Sequence, residues 1–106
     1  MATKQARFYT DVINIDTVGT AEAIGTSKLH IQWIRFRGLP GNKGEVYYGN
    51  KAGDVASTTG MPLLPGEYSK VLDFRPGSSP ADMIFVDTAN DDDDIAFEAM
   101  VERAAG

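Results

Sequence analysis

The sequence predicts an all-β protein: a small antiparallel β-sandwich, jelly-roll-like, with an extended N-terminal arm. The chain has 106 residues, which is enough for one domain with one core. Runs of β-prone residues recur roughly every 10 to 15 residues, and clusters of Gly, Pro, Asn, Asp and Ser separate them, as in sandwiches and barrels. We therefore assign residues 1–7 to a flexible N-terminal arm and residues 8–106 to a single β-sandwich domain.

The first three predicted strands precede the middle of the chain. Residues 8–17 carry Phe8, Val12 and Ile15 among Asp and Asn residues that disfavour a helix. Residues 21–24 form a brief second strand. Residues 28–37 form the strongest strand, but its apolar positions change parity near Gln32 and Trp33. Side chains alternate strictly along a strand, so either both faces are partly buried or a β-bulge lies there.

A turn cluster, residues 38–44, follows this strand and contains three Gly, one Pro and one Asn. Such residues supply the backbone angles of tight turns. We interpret the cluster as the connection of a hairpin that returns the chain into residues 45–49.

The second half of the chain predicts four further extended segments. Residues 61–67 contain two Pro residues, which are tolerated only at sheet edges and turns. Strands are predicted at 68–74 and 83–87, with an acidic loop at 89–94 between the latter and the last segment. Residues 95–102 have a composition compatible with a helix, yet their apolar residues alternate, which favours a strand. The predicted core comprises Val12, Ile34, Phe36, Val46, Tyr48, Ile84, Val86 and Phe97.

Charge and composition exclude several classes of function. The chain has ten Lys and Arg residues and 15 Asp and Glu residues, which give a formal net charge of -5. Nucleic-acid binding depends on clustered basic residues, so nucleic acid is a poor partner. The apolar runs are too short to span a membrane, and the polar N-terminal residues lack the apolar stretch of a signal peptide. We therefore expect a protein that is made in the cytoplasm and does not associate with membranes. The chain has no Cys, which excludes thiolate chemistry.

The sequence also lacks a recognisable catalytic or metal motif. His30 is the single histidine, and we interpret it as a structural or surface residue. The run Asp91, Asp92, Asp93 and Asp94 could bind a hard cation, but it lacks the ligand spacing of a calcium loop. We therefore expect a solvated acidic loop, no cofactor, no metal and no enzymatic activity.

One surface is more informative. Suppose that Ile34 and Phe36 point into the core with Val46 and Tyr48. Alternation then places Trp33, Arg35 and Arg37 on the outer face of the hairpin, beside Glu45 and Tyr47. Trp, Tyr and Arg are enriched in protein interfaces. The alternative is that Trp33 covers a second layer of core.

The N-terminal arm is a second candidate contact. Its polar residues include Lys4 and Arg7, which could lie over a neighbouring subunit and become ordered on binding. Simple terminal disorder is the alternative.

The order of the segments resembles a pattern of tailed-bacteriophage virion proteins. In that pattern a strand leads through Leu-Pro-Gly-Asn-x-Gly into a Val-Tyr-x-Gly strand, then a proline-flanked segment and a short strand ending in Asp. The corresponding residues here are Leu39-Pro40-Gly41-Asn42-Lys43-Gly44, Val46-Tyr47-Tyr48-Gly49, residues 60–67 and Ile84-Phe85-Val86-Asp87. The resemblance covers roughly residues 18–101. The longer aromatic and basic strand and the less apolar last strand depart from it.

The resemblance implies a function. Similar proteins are non-enzymatic virion components, and a chain of this length is similar to a capsid decoration, or cement, protein. This implies the major capsid protein as partner, a dimer or trimer, and a place on the head surface of the virion. A neck or fibre module, or a β-sandwich that binds carbohydrate or a receptor, is the alternative, and a small enzyme comes third. The strand order expected here rests on the resemblance alone.

Overall fold

A computed structural model describes residues 5–15, 21–50 and 60–103. The described residues form nine antiparallel strands and one short 3₁₀ turn. The strands are β1 (Gln5–Ile15), β2 (Glu22–Ala23), β3 (Leu29–Gly38), β4 (Val46–Gly49), β5 (Met61–Leu63), β6 (Leu72–Asp73), β7 (Ser79–Pro80), β8 (Phe85–Thr88) and β9 (Asp93–Arg103), and the turn is Ala81–Met83. The predicted all-β class is confirmed.

The strands form two sheets that pack together. In sheet A the order is β1-β9-β3-β6, and β7 also pairs with β3. In sheet B the order is β2-β8-β4-β5. The inner faces of the two sheets form one core, in which the Phe36 ring of sheet A stacks on the Tyr48 ring of sheet B with centroids 4.8 Å apart.

The core agrees with the prediction at seven of its eight positions. Ile34, Phe36, Val46, Tyr48, Ile84, Val86 and Phe97 are all buried. Val12 is 54% exposed, and its prediction as a core residue is wrong. The inward row of β1 contains Ile13 and Ile15, so alternation directs Val12 to the opposite face of sheet A.

The bulge predicted in β3 is present. Ile31 pairs with Val101 and Trp33 pairs with Met100, so Gln32 is an extra residue between two consecutive pairs. The bulge lets Ile31 and Ile34 both point into the core although they are three residues apart. Two other predictions are confirmed: the last segment is strand β9, and the proline-bearing residues 61–63 form an edge strand.

The predicted hairpin is wrong. β3 belongs to sheet A and β4 to sheet B, so residues 39–45 carry the chain from one sheet to the other. Gly38 is required where this crossing begins, because a Cβ there would lie 2.8 Å from the Leu64 carbonyl oxygen. Long-range contacts hold the crossing in place: the Asn42 amide donates to the Asp94 carbonyl oxygen at 2.7 Å, and the Asp94 N–H donates to Asn42 Oδ1 at 2.9 Å.

Two strand predictions need smaller corrections. The structure has only Leu72–Asp73 as strand within the predicted strand at 68–74. At the N-terminus, β1 begins at Gln5, so residues 5–7, assigned by sequence to the arm, belong to the sheet. Residues 1–4, including Lys4, lie outside the described residues.

Candidate protein-binding face

The outer face of sheet A carries Trp33, Arg35 and Arg37 of β3. Register and alternation place cross-strand rows from β1, β9 and β3 on this face. We call it the outer face; its rows are Phe8, Met100 and Trp33, then Thr10, Glu98 and Arg35, then Val12, Ala96 and Arg37. Trp33, Arg35 and Arg37 therefore share one face, as the sequence predicted.

An apolar ridge forms one end of the outer face. The Phe8 and Trp33 rings lie 6.3 Å apart and tilted, with Met100 in the strand between them. Phe8 is 56% exposed, whereas Trp33 and Met100 are partly buried. The alternative interpretation of Trp33, that it covers a second layer of core, does not fit, because sheet B packs against the other face of β3.

Tyr68 lies across the two arginines. The Arg35 and Arg37 guanidinium carbons lie 4.4 and 4.9 Å from the centroid of its ring. A main-chain bridge between Arg37 and Tyr68 fixes the ring there. Such cation–π contacts contribute about 0.5–1 kcal/mol at exposed sites. These contacts hold both guanidinium groups against the sheet. They therefore reduce the side-chain conformational entropy that would be lost when a partner binds.

The two arginines differ in their charge partners. Arg35 forms an ion pair with Glu98 across the strand pair. The Arg37 Nε atom is buried and has no hydrogen-bond partner among the described residues. A buried donor without an acceptor is costly, and an acceptor from a bound molecule would remove that cost.

A groove of about 460 Å³ runs along this face beside Arg37. The small side chain of Ala96, between Val12 and Arg37, forms part of its floor, so the neighbouring side chains stand above it. Residues lining the groove are Thr10, Asp11, Val12, Arg35, Arg37, Tyr68, Ala96, Phe97 and Glu98. The groove thus combines apolar walls with one guanidinium that lacks a charge partner within the described residues.

Tyr47 does not join this face. It lies on β4 in sheet B, pairs with Pro62 and Asp87, and is only 7% exposed. Its hydroxyl donates to Glu45 Oε1 at 3.3 Å, and burial, with a further contribution from Glu45, raises the pKa of the Tyr47 hydroxyl. The sequence placed Tyr47 here through the hairpin, and that placement is wrong because β3 and β4 lie in different sheets.

Arg7 does not belong to the outer face, because its side chain lies on the opposite side of sheet A. It is exposed on β1 and pairs in register with Val101, a residue of the inner row of β9. Sequence reasoning missed Phe8, Val12 and Tyr68 as members of the face. Their parity relative to Ile13 and Ile15 was a usable signal for the first two, but the position of Tyr68 depends on a contact between distant segments.

The acidic run has a structural use. Asp93 is 4% exposed, and its carboxylate accepts the backbone N–H of Lys43 at 2.9 Å and of Gly44 at 3.1 Å. The prediction of a solvated loop is therefore wrong for Asp93, while Asp91 and Asp92 are exposed. Within the described residues, no three His, Asp or Glu side chains converge so as to hold a metal ion.

His30 also has a local partner. Its Nδ1 atom lies 3.3 Å from the Ser78 hydroxyl, at the pairing of β3 with β7. Across the described part of the chain, no helix has the length and apolar character needed to cross a membrane.

Compared with models of known families and with curated proteins, the chain matches none. The function is therefore inferred from the fold and from the outer face.

Proposed function

We propose that this chain is a non-enzymatic structural protein of a tailed-phage particle, a decoration protein that binds the outer head shell and stabilises it. Its partner is the major capsid protein, its location is the head surface of the virion after assembly in the host cytoplasm, and it acts as a homo-oligomer. The strand order, the packed interior and the outer face support this proposal, and the strand order carries the most weight.

The strand order supports a jelly roll. If β6 and β7 are counted as one interrupted strand, the described residues form eight strands. One sheet then has the order first, eighth, third and sixth, and the other has the order second, seventh, fourth and fifth. Two interleaved Greek keys produce this order, and the architecture is common in viral capsid domains and lectins. A shared fold does not itself assign a function, so the surface must supply the rest.

The interior favours an external binding site. Ile34, Phe36, Val46 and Val86 are 0% exposed and pack between the sheets, so side chains occupy the centre of the described core. The outer face instead presents the Phe8 and Trp33 ridge and the Arg37 groove to solvent. Aromatic and Arg side chains of this kind form the centres of protein interfaces.

The proposed action is thermodynamic. A protein that binds the closed shell but not an opened one stabilises the closed state by its binding free energy. Internal pressure from packaged DNA would have to overcome that free energy at every occupied position. No bond is made or broken in this mechanism, which agrees with a non-enzymatic protein.

The direct test measures occupancy on emptied particles at fixed salt. We expect the purified protein to bind and to copurify with intact particles at a copy number comparable to that of the major capsid protein. Trp33→Ala, or Arg35→Glu with Arg37→Glu, should weaken attachment by about 2 kcal/mol or more, while thermal unfolding of the isolated protein stays cooperative.

A matched control uses an exposed apolar residue elsewhere. Met83 is 55% exposed, is the last residue of the 3₁₀ turn and belongs neither to the rows of the outer face nor to the lining of its groove, so Met83→Ala should bind normally. Equal occupancy by all variants would exclude the outer face, and absence of the chain from purified particles would overturn the proposed function.

A second candidate function is carbohydrate or receptor binding by a neck or fibre module. The exposed Phe8 ring beside Trp33 favours it, because sugar rings stack on aromatic side chains. Binding to a glycan array that Trp33→Ala abolishes, together with low copy number in particles, would select this candidate over the decoration protein.

A further inference from the structure

The outer edge of β1 is long, regular and open. β1 is the end strand of sheet A, and its eleven residues pair with β9 without interruption. No described strand pairs with its other edge. Ala6 to Val12 are exposed at every position, so within the described residues neither sheet B nor a loop covers this half of the strand. Open edges of this kind pair readily with another strand.

The ladder identifies the backbone groups at that edge. The Phe36 backbone bonds to Ser69, on the side of β3 away from β9. Phe36 and its partner Phe97 are therefore a non-hydrogen-bonded pair, so the backbone groups of Phe97 point to Asp11 of β1. Backbone N–H and C=O groups point alternately to the two sides of a strand. Residues 6, 8, 10, 12 and 14 therefore direct these groups away from β9, toward the open edge. The Val12 N–H agrees, since it donates to Asp11 Oδ1 at 2.8 Å.

We propose that two copies of this chain associate through their β1 edges, antiparallel, about a two-fold axis at Tyr9. Position 9 then faces itself, position 8 faces position 10, and position 6 faces position 12. These even pairs all have outward backbone groups and become the hydrogen-bonded pairs of the new ladder. The odd residues form the non-hydrogen-bonded pairs, whose side chains approach closely.

Charge complementarity selects this register and a second copy as the occupant. With Tyr9 on the axis, Arg7 of each copy lies opposite Asp11 of the other, and Ala6 lies opposite Val12. Opposite charges directly across a strand pair are favourable, whereas like charges are not. Moving the axis to Phe8 or Thr10 removes both ion pairs, and moving it to Arg7 or Asp11 places two like charges opposite each other.

The pairing also replaces an internal contact. In the single chain the Asp11 carboxylate occupies the outward N–H of Val12. In the dimer that N–H donates to the partner's Ala6 carbonyl oxygen, and the Asp11 carboxylate turns to the partner's Arg7. The Val12 N–H and the Asp11 carboxylate therefore both keep a partner in the dimer.

The two-fold axis is perpendicular to sheet A, so both outer faces lie on the same side of the joined sheet. If the chain is the decoration protein proposed above, one dimer would present two attachment faces to one shell and would gain from bivalency. Self-association itself is measured in solution without particles. Its failure is therefore distinguishable from failure of shell attachment.

Charge reversal in both directions tests the register. Arg7→Asp places two Asp opposite each other, and Asp11→Arg places two Arg opposite each other, so each variant alone should dimerise at least about tenfold more weakly than wild type in sedimentation equilibrium. An equimolar mixture of the two variants restores both ion pairs and should form heterodimers with near wild-type affinity. The double variant Arg7→Asp with Asp11→Arg should also recover.

A cross-link tests the axis. The chain has no Cys, so Tyr9→Cys introduces a single thiol that should oxidise rapidly to a disulfide dimer across a non-hydrogen-bonded pair. Val12→Cys is the matched control, because its two copies would be about 20 Å apart. Thr10→Pro removes only an outward N–H, so it should abolish the dimer while circular dichroism and the unfolding midpoint stay near wild type.

Three results would overturn the proposal. They are a wild-type chain that stays monomeric at hundreds of micromolar, a dimer that neither charge reversal nor Thr10→Pro weakens, and equal cross-linking at positions 9 and 12. Pairing of the β1 edge with a strand of the capsid protein instead of a second copy would appear as a monomer in solution, and it also counts against the proposal.

Discussion

Neighbouring residues of β3 lie in opposite environments. Ile34 and Phe36 are 0% exposed in the core, whereas Trp33, Arg35 and Arg37 alternate with them along the strand, lie on the outer face and are partly exposed. The inner side chains contact sheet B, whereas the outer ones contact neighbouring strands of their own sheet and the Tyr68 ring. One strand thus carries core residues on one side and the proposed binding surface on the other.

The difference teaches how the two faces should respond to mutation. A change on the inner face leaves a cavity between two packed sheets, because no neighbour can move fully into the space. A change on the outer face meets solvent on one side, and water can fill the place of the lost group. Stability and binding should therefore be separable along β3, residue by residue.

The largest expected effect is that of Phe36→Ala. The ring stacks on Tyr48 at 4.8 Å and lies 6.1 Å from Phe97, so its loss opens a cavity at the junction of the two sheets. We expect the free energy of unfolding to fall by about 3–5 kcal/mol, measured by urea denaturation. Trp33→Ala should cost clearly less, although its side chain is larger. Equal losses for the two variants would remove the distinction between the faces.

The next effect concerns the polar end of the inner row. Asp93 has the parity of Ile95 and Phe97, yet its buried carboxylate binds two N–H groups of the crossing segment. Asp93→Ala leaves those donors without an acceptor and should lower the free energy of unfolding by about 2–3 kcal/mol. Asp91→Ala, a change to an exposed residue of the same acidic run, should stay within about 0.5 kcal/mol. A loss of similar size at both positions would mean that net charge, not the buried contact, is responsible.

The alternation within strands could be predicted from the sequence, because burial forces a period of two. This applies to Ile34 and Phe36, to the bulge at Gln32, and to β9, where alternation of Ile95, Phe97, Ala99 and Val101 outweighed a helical composition. Each of these features depends on residues close together in the chain.

The partners of each strand could not be predicted in the same way. The glycine-rich residues 38–44 have the composition of a hairpin turn, and local chemistry does not distinguish that turn from a crossing between sheets. Contacts such as Asn42 with Asp94, 52 residues away, hold the crossing. The same reason explains the candidate face: three of its residues share β3 and were predicted together, whereas Tyr68 and Tyr47 required knowledge of the sheets. The use of that face in binding stays a prediction.

A smaller effect is expected for Arg37→Met. Methionine keeps an apolar stem over the Ala96 groove and removes the buried Nε atom, which has no acceptor among the described residues. The loss of the cation–π contact with Tyr68 opposes that gain, so the free energy of unfolding should change by less than about 1 kcal/mol in denaturant titrations. A large loss would show that Arg37 belongs with the inner residues as a stability determinant, contrary to the comparison.

The smallest effect lies at the exposed edge of the same sheet. Asp73 pairs with Trp33, and its carboxylate accepts Arg75 Nε at 2.9 Å, Arg75 Nη2 at 2.7 Å and the Arg75 backbone N–H at 3.0 Å. The side-chain hydrogen bonds from Arg75, more than its backbone bond and charge, lower the pKa of Asp73 from 3.8 to about 2. The folded pKa lies below the unfolded one, so the stabilisation is present above about pH 4 and is lost as the pH falls through about 2.

Carbon-detected NMR titration of the Asp73 carboxyl measures this directly. In Arg75→Ala the side-chain donors are gone but the backbone N–H remains, so the pKa should rise most of the way toward 3.8. Because the pair is exposed to solvent, unfolding at neutral pH should change little. A wild-type pKa near 3.8 would show that the Arg75 side chain does not bind the Asp73 carboxylate. A pKa that stays low in Arg75→Ala would assign the shift to the backbone N–H of residue 75. Either result would show that the Arg75 side chain does not stabilise the Asp73 carboxylate at this exposed edge. The stability of sheet A would then be assigned to its inner face alone.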